Sequence, residues 1–504
     1  MKSALYIACL ALSLAACTKN LDQVSPNSVV QTNFWKTDAD FMSGLAATYK
    51  VFHDVNNGYF GVRGIETTNG RGDDFVIRND VKDLYQLATF TNNATTGVPG
   101  SLFTGFYTAI FRANQIIENA PLSSLPDASK QQYIAEAQFL RGLNYYYLAM
   151  NFGSVPIITK VPVERTDYFA SQSPETAVWA QAVSDLQAAA AGLPAAYPAA
   201  MVGRATKGAA LGFLGKAYVY QKNWAEAEKA FKQLALPSGV AQSPFTYALM
   251  PKFEDNFVKT GDNNAESLFE IQNQNVGGSQ PWAGENANEA LGVTTAQEFA
   301  PTEVAGWFEV SPTDKVFNEF QREKAVGDSL DPRMYASLVW DYPGATYYNR
   351  PFTDFKLVFG YKSMVRKYQN WREANEGIYI SEINEKVLRY ADILLLYAET
   401  LTMQGRPAEA YPLINRVRAR AKLTALAAGF DASQMMAELR HQRMLEFFRE
   451  GQRFYDLKRW GLLEQEIKNS DKVGKEFFTA RNAYFPIPQG ELNTNPNIKQ
   501  NPGW

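Results

Sequence analysis

The sequence predicts a mainly α protein. Stacked helical hairpins form a scaffold, and long loop-rich regions with a few short strands are carried between them. Three observations predict this. Residues 206–236 repeat a helical apolar spacing on either side of one break, as a helical hairpin does. Residues 387–421 do the same near the other end of the chain. In 54–101 and 237–384 the periodicity is lost, and glycine and polar residues surround scattered aromatics. One hairpin cannot bury its own apolar face, so each predicts neighbours stacked against it.

In the first hairpin Leu211, Leu214, Gly215 and Tyr218 fall at i, i+3, i+4 and i+7, and Ala227, Ala230, Phe231 and Leu234 repeat the spacing. Asn223 is placed to cap the second helix, with Glu226 three residues on to return the bond. Gly215 lacks a side chain, so the partner helix can approach closely there. Leu214-Gly215-x-x-Tyr218, then Ala227 and Phe231, match the tetratricopeptide repeat in type and offset. In the second hairpin Val387, Tyr390, Ala391, Leu394, Ala398 and Leu401 make one stripe. Gly405 ends that helix, Pro407 suits a first helical position, and Ala410, Leu413, Ile414 and Val417 make the second stripe. Leu401, Ala410 and Ile414 keep the repeat's offsets, although the repeat has tyrosine where Leu401 stands.

The other elements follow in chain order. Residues 1–16 carry one cation, Lys2, and then an apolar run too short to span a bilayer, which suits a secretory signal. Leu14-Ala15-Ala16-Cys17 resembles the bacterial lipobox. Cys17 is therefore the expected lipidation site, and 17–33 a lipidated polar tether; a multiply acylated cysteine anchors firmly. Thr37-x-x-Asp40 reads as a capping box for a helix bearing Phe41, Leu45, Thr48 and Phe52. Helical order returns with Phe103, Phe106, Tyr107, Ile110, Asn114 and Ile117. Residues 133–151 are apolar on more than one face, which marks a central helix; 155–158 is a short extended run and 174–193 an alanine-rich helix. Strand-like pieces lie at 267–271 and 355–359. The chain is helical again from 387 to 451, and the Pro- and Asn-rich tail 484–504 cannot form a long helix.

Composition narrows the function. A net charge of -3 over 504 residues removes the electrostatic footprint of a nucleic-acid binder. Both cysteines, Cys9 and Cys17, lie in the leader, and the two histidines are His53 and His441. That argues against a Cys/His zinc site and a Cys–His nucleophile, and neither metal nor cofactor is expected. Leader cleavage leaves Cys17 without a partner for an intramolecular disulfide.

Several segments then carry a resemblance. Ala135-Glu136-Ala137-Gln138-Phe139-Leu140-Arg141 runs through Tyr145-Tyr146-Tyr147 to Phe152-Gly153-Ser154-Val155-Pro156. Leu388-Arg389-Tyr390-Ala391-Asp392-Ile393 precedes Tyr397-Ala398-Glu399 and Asn415-Arg416-Val417-Arg418. The block 443–461, RMLEFFREGQRFYDLKRWG, follows, and Phe485-Pro486-Ile487-Pro488 and Gln500-Asn501-Pro502-Gly503 close the chain. In this order the set resembles the RagB/SusD family of outer-membrane lipoproteins. The resemblance implies a SusD-like fold with about four tetratricopeptide-like helix pairs on one side and a loop-rich ligand face on the other. It divides the chain into an N-terminal part, 34–236, and a C-terminal part, 237–504, with ligand face 237–384, helical repeats 385–461 and tail 462–504. It also implies a surface-exposed, lipid-anchored outer-membrane protein that captures an oligosaccharide and delivers it, uncleaved, to a TonB-dependent SusC-like barrel; some members bind peptides. The family's sugar contacts lie in variable loops, so none carries over by position. In 443–460 the cations Arg443, Arg449, Arg453 and Arg459 interleave with Glu446, Glu450 and Asp456; this reads as an ion-pair network pinning the last helix rather than a ligand clamp.

The site is read from chemistry. A sugar ring offers an apolar C–H face and a rim of hydroxyls, so its binder needs flat aromatic faces and fixed donors and acceptors. Among the loop aromatics Trp282, Trp307, Trp340, Tyr342, Tyr347, Tyr348 and Trp371, the expected platforms are Trp282, Trp340, Tyr342, Tyr347 and Tyr348. Arg71, Asp73 and Asp74 are the expected polar cluster. Three alternatives stay open: peptide capture on the same scaffold, a scaffold with protein partners only, and a secreted glycoside hydrolase, which would need two carboxylates roughly 5–10 Å apart across a cleft.

Overall fold

The computed structural model describes residues 34–53, 58–61, 70–274, 292–376 and 381–504, so the leader, Cys17 and Trp282 lie outside the described residues. Helix α1 (Asp38–Tyr49) opens with the expected capping box: Thr37 Oγ1 accepts from the Asp40 amide and the Asp40 carboxylate accepts from the Thr37 amide at 2.7 Å. A 3-10 turn, Lys50–His53, carries Phe52 into the core. Then come strand β1 (Phe75–Ile77) and the helices α2 (Lys82–Ala88), α3 (Gly97–Asn119) and α4 (Asp127–Phe152). From Phe139 to its end every residue of α4 is buried, so it is the central helix its composition predicts. Strands β2 (Val155–Pro156) and β3 (Gln172–Ser173) lead to α5 (Glu175–Gly192), α6 (Lys207–Tyr220) and α7 (Trp224–Lys232). Each of α3 to α7 packs on the helix before it, with α1 against α3 and α4.

The α6–α7 hairpin is the tetratricopeptide-like unit. A Cβ on Gly215 would strike the Phe231 ring, which explains the glycine. Asn223 caps α7 by accepting from the Glu226 amide, but the Glu226 carboxylate does not return the bond and pairs with Lys229 instead.

The loop-rich part holds strand β4 (Ser267–Ile271), the short helix α8 (Thr295–Phe299), β5 (Val310–Pro312), helix α9 (Asp314–Phe320), β6 (Lys324–Ala325), β7 (Ser329–Leu330) and helix α10 (Pro332–Ser337). Strands β8 (Leu338–Trp340), β9 (Thr346–Tyr347), β10 (Arg350–Pro351), β11 (Ser363–Val365) and β12 (Glu385–Arg389) follow. The described strands form two-stranded antiparallel pairs. Two expectations are corrected here. Residues 355–359 make no strand; Phe355 instead enters a small satellite core with Val304, Tyr347, Tyr348, Phe352 and Met364. Residues 387–389, read as the start of a helical stripe, belong to β12, which pairs with β4. All five β12 residues are buried, so no period-2 alternation betrays the strand.

The chain then returns to helices: α11 (Tyr390–Met403), α12 (Pro407–Arg420), α13 (Ala432–Glu446), α14 (Arg453–Trp460), α15 (Leu463–Lys468) and the short tail helix α16 (Gln489–Thr494). Helix α11 packs on α7, α12 and α13, so the N- and C-terminal repeats share one core. Gly405 (φ +77°) ends α11 and Pro407 opens α12, as their types predict.

The block 443–460 is the ion-pair network its alternating charges suggest. Arg443 bonds Asp392 and Asp456, each at 2.7 Å, Arg449 reaches Glu385 at 3.4 Å, and Arg459 holds Asp456 and Glu399. Deeper, Arg333, Lys367, Arg389 and Arg420 interlock with Glu266, Asp331, Glu446 and Glu450. These links join α10, β12, α12 and α13 to the segments beside them.

A candidate carbohydrate-binding face

The expected polar cluster is buried. The Arg71 guanidinium lies 3.9 Å from the ring centres of both Phe454 and Phe485 and donates to Asn151 Oδ1 and the Asn482 carbonyl. Asp73 accepts both arms of Arg453, at 2.7 and 2.8 Å, and pairs with Lys315. Burial alone would raise its pKa, but Arg453 and Lys315 hold it down at about 2. Burial, then the charge on Asp73, push the neighbouring Asp74 up to about 7, and its Oδ1 has no hydrogen-bond partner among the described residues. Arg71 and Asp73 fasten 70–77 to α14, and Asp74 is buried beside them, so the three are corrected from an exposed cluster to an internal seam. The partner cation Arg453 lies 380 residues away from Asp73 in sequence, which hides the pairing.

Tyr347 and Tyr348 are corrected as well. Both are fully buried in the satellite core; Tyr347 donates to the Val365 carbonyl and Tyr348 to Glu376. They support the loop face from beneath and present no ring to solvent.

Trp340 and Tyr342 do come together, and in company the sequence did not single out. Strand β8 delivers Trp340, whose ring centre lies 5.2 Å from Tyr335, 4.7 Å from Tyr342 and 5.8 Å from Phe317. Trp340 is nearly buried and acts as the base of the cluster. Tyr335, on α10, is 37% exposed; Tyr342 is half-buried, and Asp341 between the two strand-end rings is exposed. Beyond β11, Arg366 donates to the Tyr335 carbonyl at 3.2 Å and lays its guanidinium 3.4 Å from the Trp371 ring centre. Its Nε has no hydrogen-bond partner among the described residues. Burial lowers the Arg366 pKa, and the Tyr342 hydroxyl and Glu254 act the other way. The result is an aromatic corner with two part-exposed rings and the exposed Asp341 carboxylate, backed by the buried Arg366 guanidinium. Ring faces suit the C–H face of a pyranose, and the exposed carboxylate suits its hydroxyl rim. Tyr335 and Arg366 escaped sequence reasoning because α10 is only six residues long and the β8–β11 pairing that seats Arg366 leaves no local signal.

Among the described residues no helix is long and apolar enough to cross a membrane, and no group of three or more His, Cys, Asp or Glu is placed to hold a metal ion.

Comparison with known proteins places the fold. The SusD family model matches residues 265–504, and a second model, described as starch-binding and associating with the outer membrane, matches 19–219. A crystal structure of a SusD superfamily protein from Bacteroides vulgatus is 35% identical, spans 94% of this chain and all of that one, and superimposes with a TM-score of 0.85. The chain belongs to the SusD family. A laminarin-binding SusD-like protein of known structure is 26% identical over 93% of this SusD-family chain and all of its own, with a TM-score of 0.78. SusD-like protein P2 of Formosa agariphila is 26% identical over 98% of both chains. The carbohydrate-binding proteins of the SusD family are non-catalytic, and the family is associated with the outer membrane. The mainly helical SusD-like fold with short two-stranded sheets is as the sequence predicts.

Proposed function

We propose that this protein is a surface lipoprotein that captures an oligosaccharide on the loop face and hands it, uncleaved, to a TonB-dependent SusC-like barrel. Cys17 carries the acyl chains that hold it to the outer membrane, and 18–33 is the tether. Tyr335 and Tyr342 form the capture surface, with Trp340 as its base and Arg366 supporting it from behind. The observation that carries this reading is the part-exposed aromatic corner of Tyr335 and Tyr342 with the exposed Asp341 carboxylate beside it. The laminarin-binding relative supports a neutral glycan as the cargo class.

The test is to incubate the mature chain with a panel of oligosaccharides and peptides, reading both affinity and products. Binding of a glycan without shorter products supports the reading. Binding of peptides alone, or release of shorter glycans, replaces it with peptide capture or hydrolysis. Co-purification of the tagged protein with an outer-membrane barrel from its own cells tests the partner.

A further inference from the structure

A hollow of about 350 Å³ lies between α3, residues 156–170 and the C-terminal tail. Helix α3 turns Thr104, Tyr107, Thr108 and Phe111 toward it at i, i+3, i+4 and i+7, which places them on one helical face. Tyr168 stands on another wall and Glu491, from α16, on a third. Two of the rings are open to solvent: Phe111 is 38% exposed and Tyr168 62%.

The three polar side chains that α3 turns toward this hollow share one property. Thr104 gives its hydroxyl hydrogen to the Gly100 carbonyl at 3.0 Å, Thr108 to the Thr104 carbonyl at 2.8 Å, and Tyr107 to the Pro156 carbonyl at 2.6 Å. Each oxygen therefore faces a ligand with lone pairs only. The Glu491 carboxylate is half-buried and meets neither a side-chain donor nor a cation among the described residues. Burial alone pushes its pKa up. The α3 wall of acceptors, together with one carboxylate that has no cation beside it among the described residues, favours a ligand that brings donors and positive charge. A neutral hydroxyl brings an acceptor together with its donor. An ammonium brings three donors and no acceptor, pairs with a carboxylate and is attracted to aromatic faces. The volume is at the lower end for ligand pockets and suits one ring rather than a chain.

We infer that this hollow is a second ligand site, taking a sugar ring that carries a free ammonium group, with Glu491 as its counter-charge and Phe111 and Tyr168 as its ring platforms. The inference rests on the carbohydrate-binding reading above but not on the same residues. Its test is calorimetric titration of the mature chain with glucosamine oligomers, their N-acetylated counterparts and neutral glucose oligomers, with free lysine as a further arm. The glucosamine oligomer binds at least tenfold more tightly than either counterpart. Glu491→Gln removes that preference, Phe111→Ala weakens binding, and Tyr335→Ala/Tyr342→Ala leaves it unchanged. Equal affinity for the three oligomers, an unchanged preference in Glu491→Gln, or lysine binding as tightly as the amino sugar overturns the inference. If the preference survives Glu491→Gln but vanishes in the Tyr335/Tyr342 variant, the second site falls and the loop-face reading stands. If no oligosaccharide of any kind binds, both fall.

Discussion

Replacing Arg389 by Met removes one cation from a closed and balanced set. Arg333, Lys367, Arg389 and Arg420 face Glu266, Asp331, Glu446 and Glu450, and every one of these side chains is at most 4% exposed. The shifts reflect mutual support: burial would lower the Arg389 pKa, but Glu450, Glu266 and Glu446 hold it well above its ordinary value. Burial would raise Glu446, yet Arg420, Arg389 and Arg333 hold it well below the usual carboxylate range. In Arg389→Met three cations remain against four carboxylates, with no water to screen the excess. Breaking a buried pair in this way costs about 3–5 kcal/mol, against about 0–1 kcal/mol for an exposed pair such as Lys229–Glu226. Urea unfolding of the wild type, Arg389→Met, Glu450→Gln and the double variant measures it. Glu450→Gln in the Arg389→Met background restores three against three, so the double variant is more stable than the sum of the singles by about 1 kcal/mol or more. The Arg389→Met deficit also shrinks as pH falls, because the unpaired carboxylates gain a raised folded pKa and protonation then favours the folded state. A cost under about 1 kcal/mol, or strict additivity, refutes the reasoning.

Three further predictions follow from other parts of the structure. The folded pKa of Asp74 is raised from 3.8 to about 7, so the folded state keeps a proton that the unfolded chain has released; stability falls as pH rises through that window and levels off above it. Asp74→Asn stays neutral, so the difference in Tm between pH 5 and pH 8 shifts toward higher relative stability at pH 8; an identical difference in both proteins contradicts this. Phe231→Ala empties the space beside Gly215 and costs about 3–5 kcal/mol by denaturant unfolding, whereas a cost below about 1 kcal/mol would mean that the hairpin does not pack as described. Trp340→Ala also costs about 3–5 kcal/mol because the ring is the nearly buried base of the aromatic corner, so a drop in Tm must accompany any loss of binding in that variant.

The scaffold was legible wherever a pattern is local. Thr37 and Asp40 signal a helix start three residues apart, Gly405 and Pro407 punctuate one hairpin, and Gly215 with Phe231 identify another. The strand β12 was not legible, because a strand buried on both faces has no alternation, and Val387 happens to fall in phase with the helix that follows. The candidate site was read in part. Trp340 and Tyr342 lie two residues apart and meet, whereas Tyr347 and Tyr348, a few residues on, turn inward to fill the satellite core. Ring content marks both alike; only the β8–β11 pairing and the buried Glu376 decide which face solvent. Arg71, Asp73 and Asp74 were misplaced for the same reason, since their partners Phe454, Phe485 and Arg453 lie at the far end of the chain.

The division between a rigid helical scaffold and a sugar-gripping loop face is tested most directly by titrating the best-bound glycan into the wild type and into Tyr335→Ala/Tyr342→Ala. Two part-exposed rings contribute about 0.5–1.5 kcal/mol each, so affinity falls about tenfold while Tm stays within a few degrees of the wild type and the glycan is recovered intact. An unchanged affinity at unchanged Tm would contradict the account.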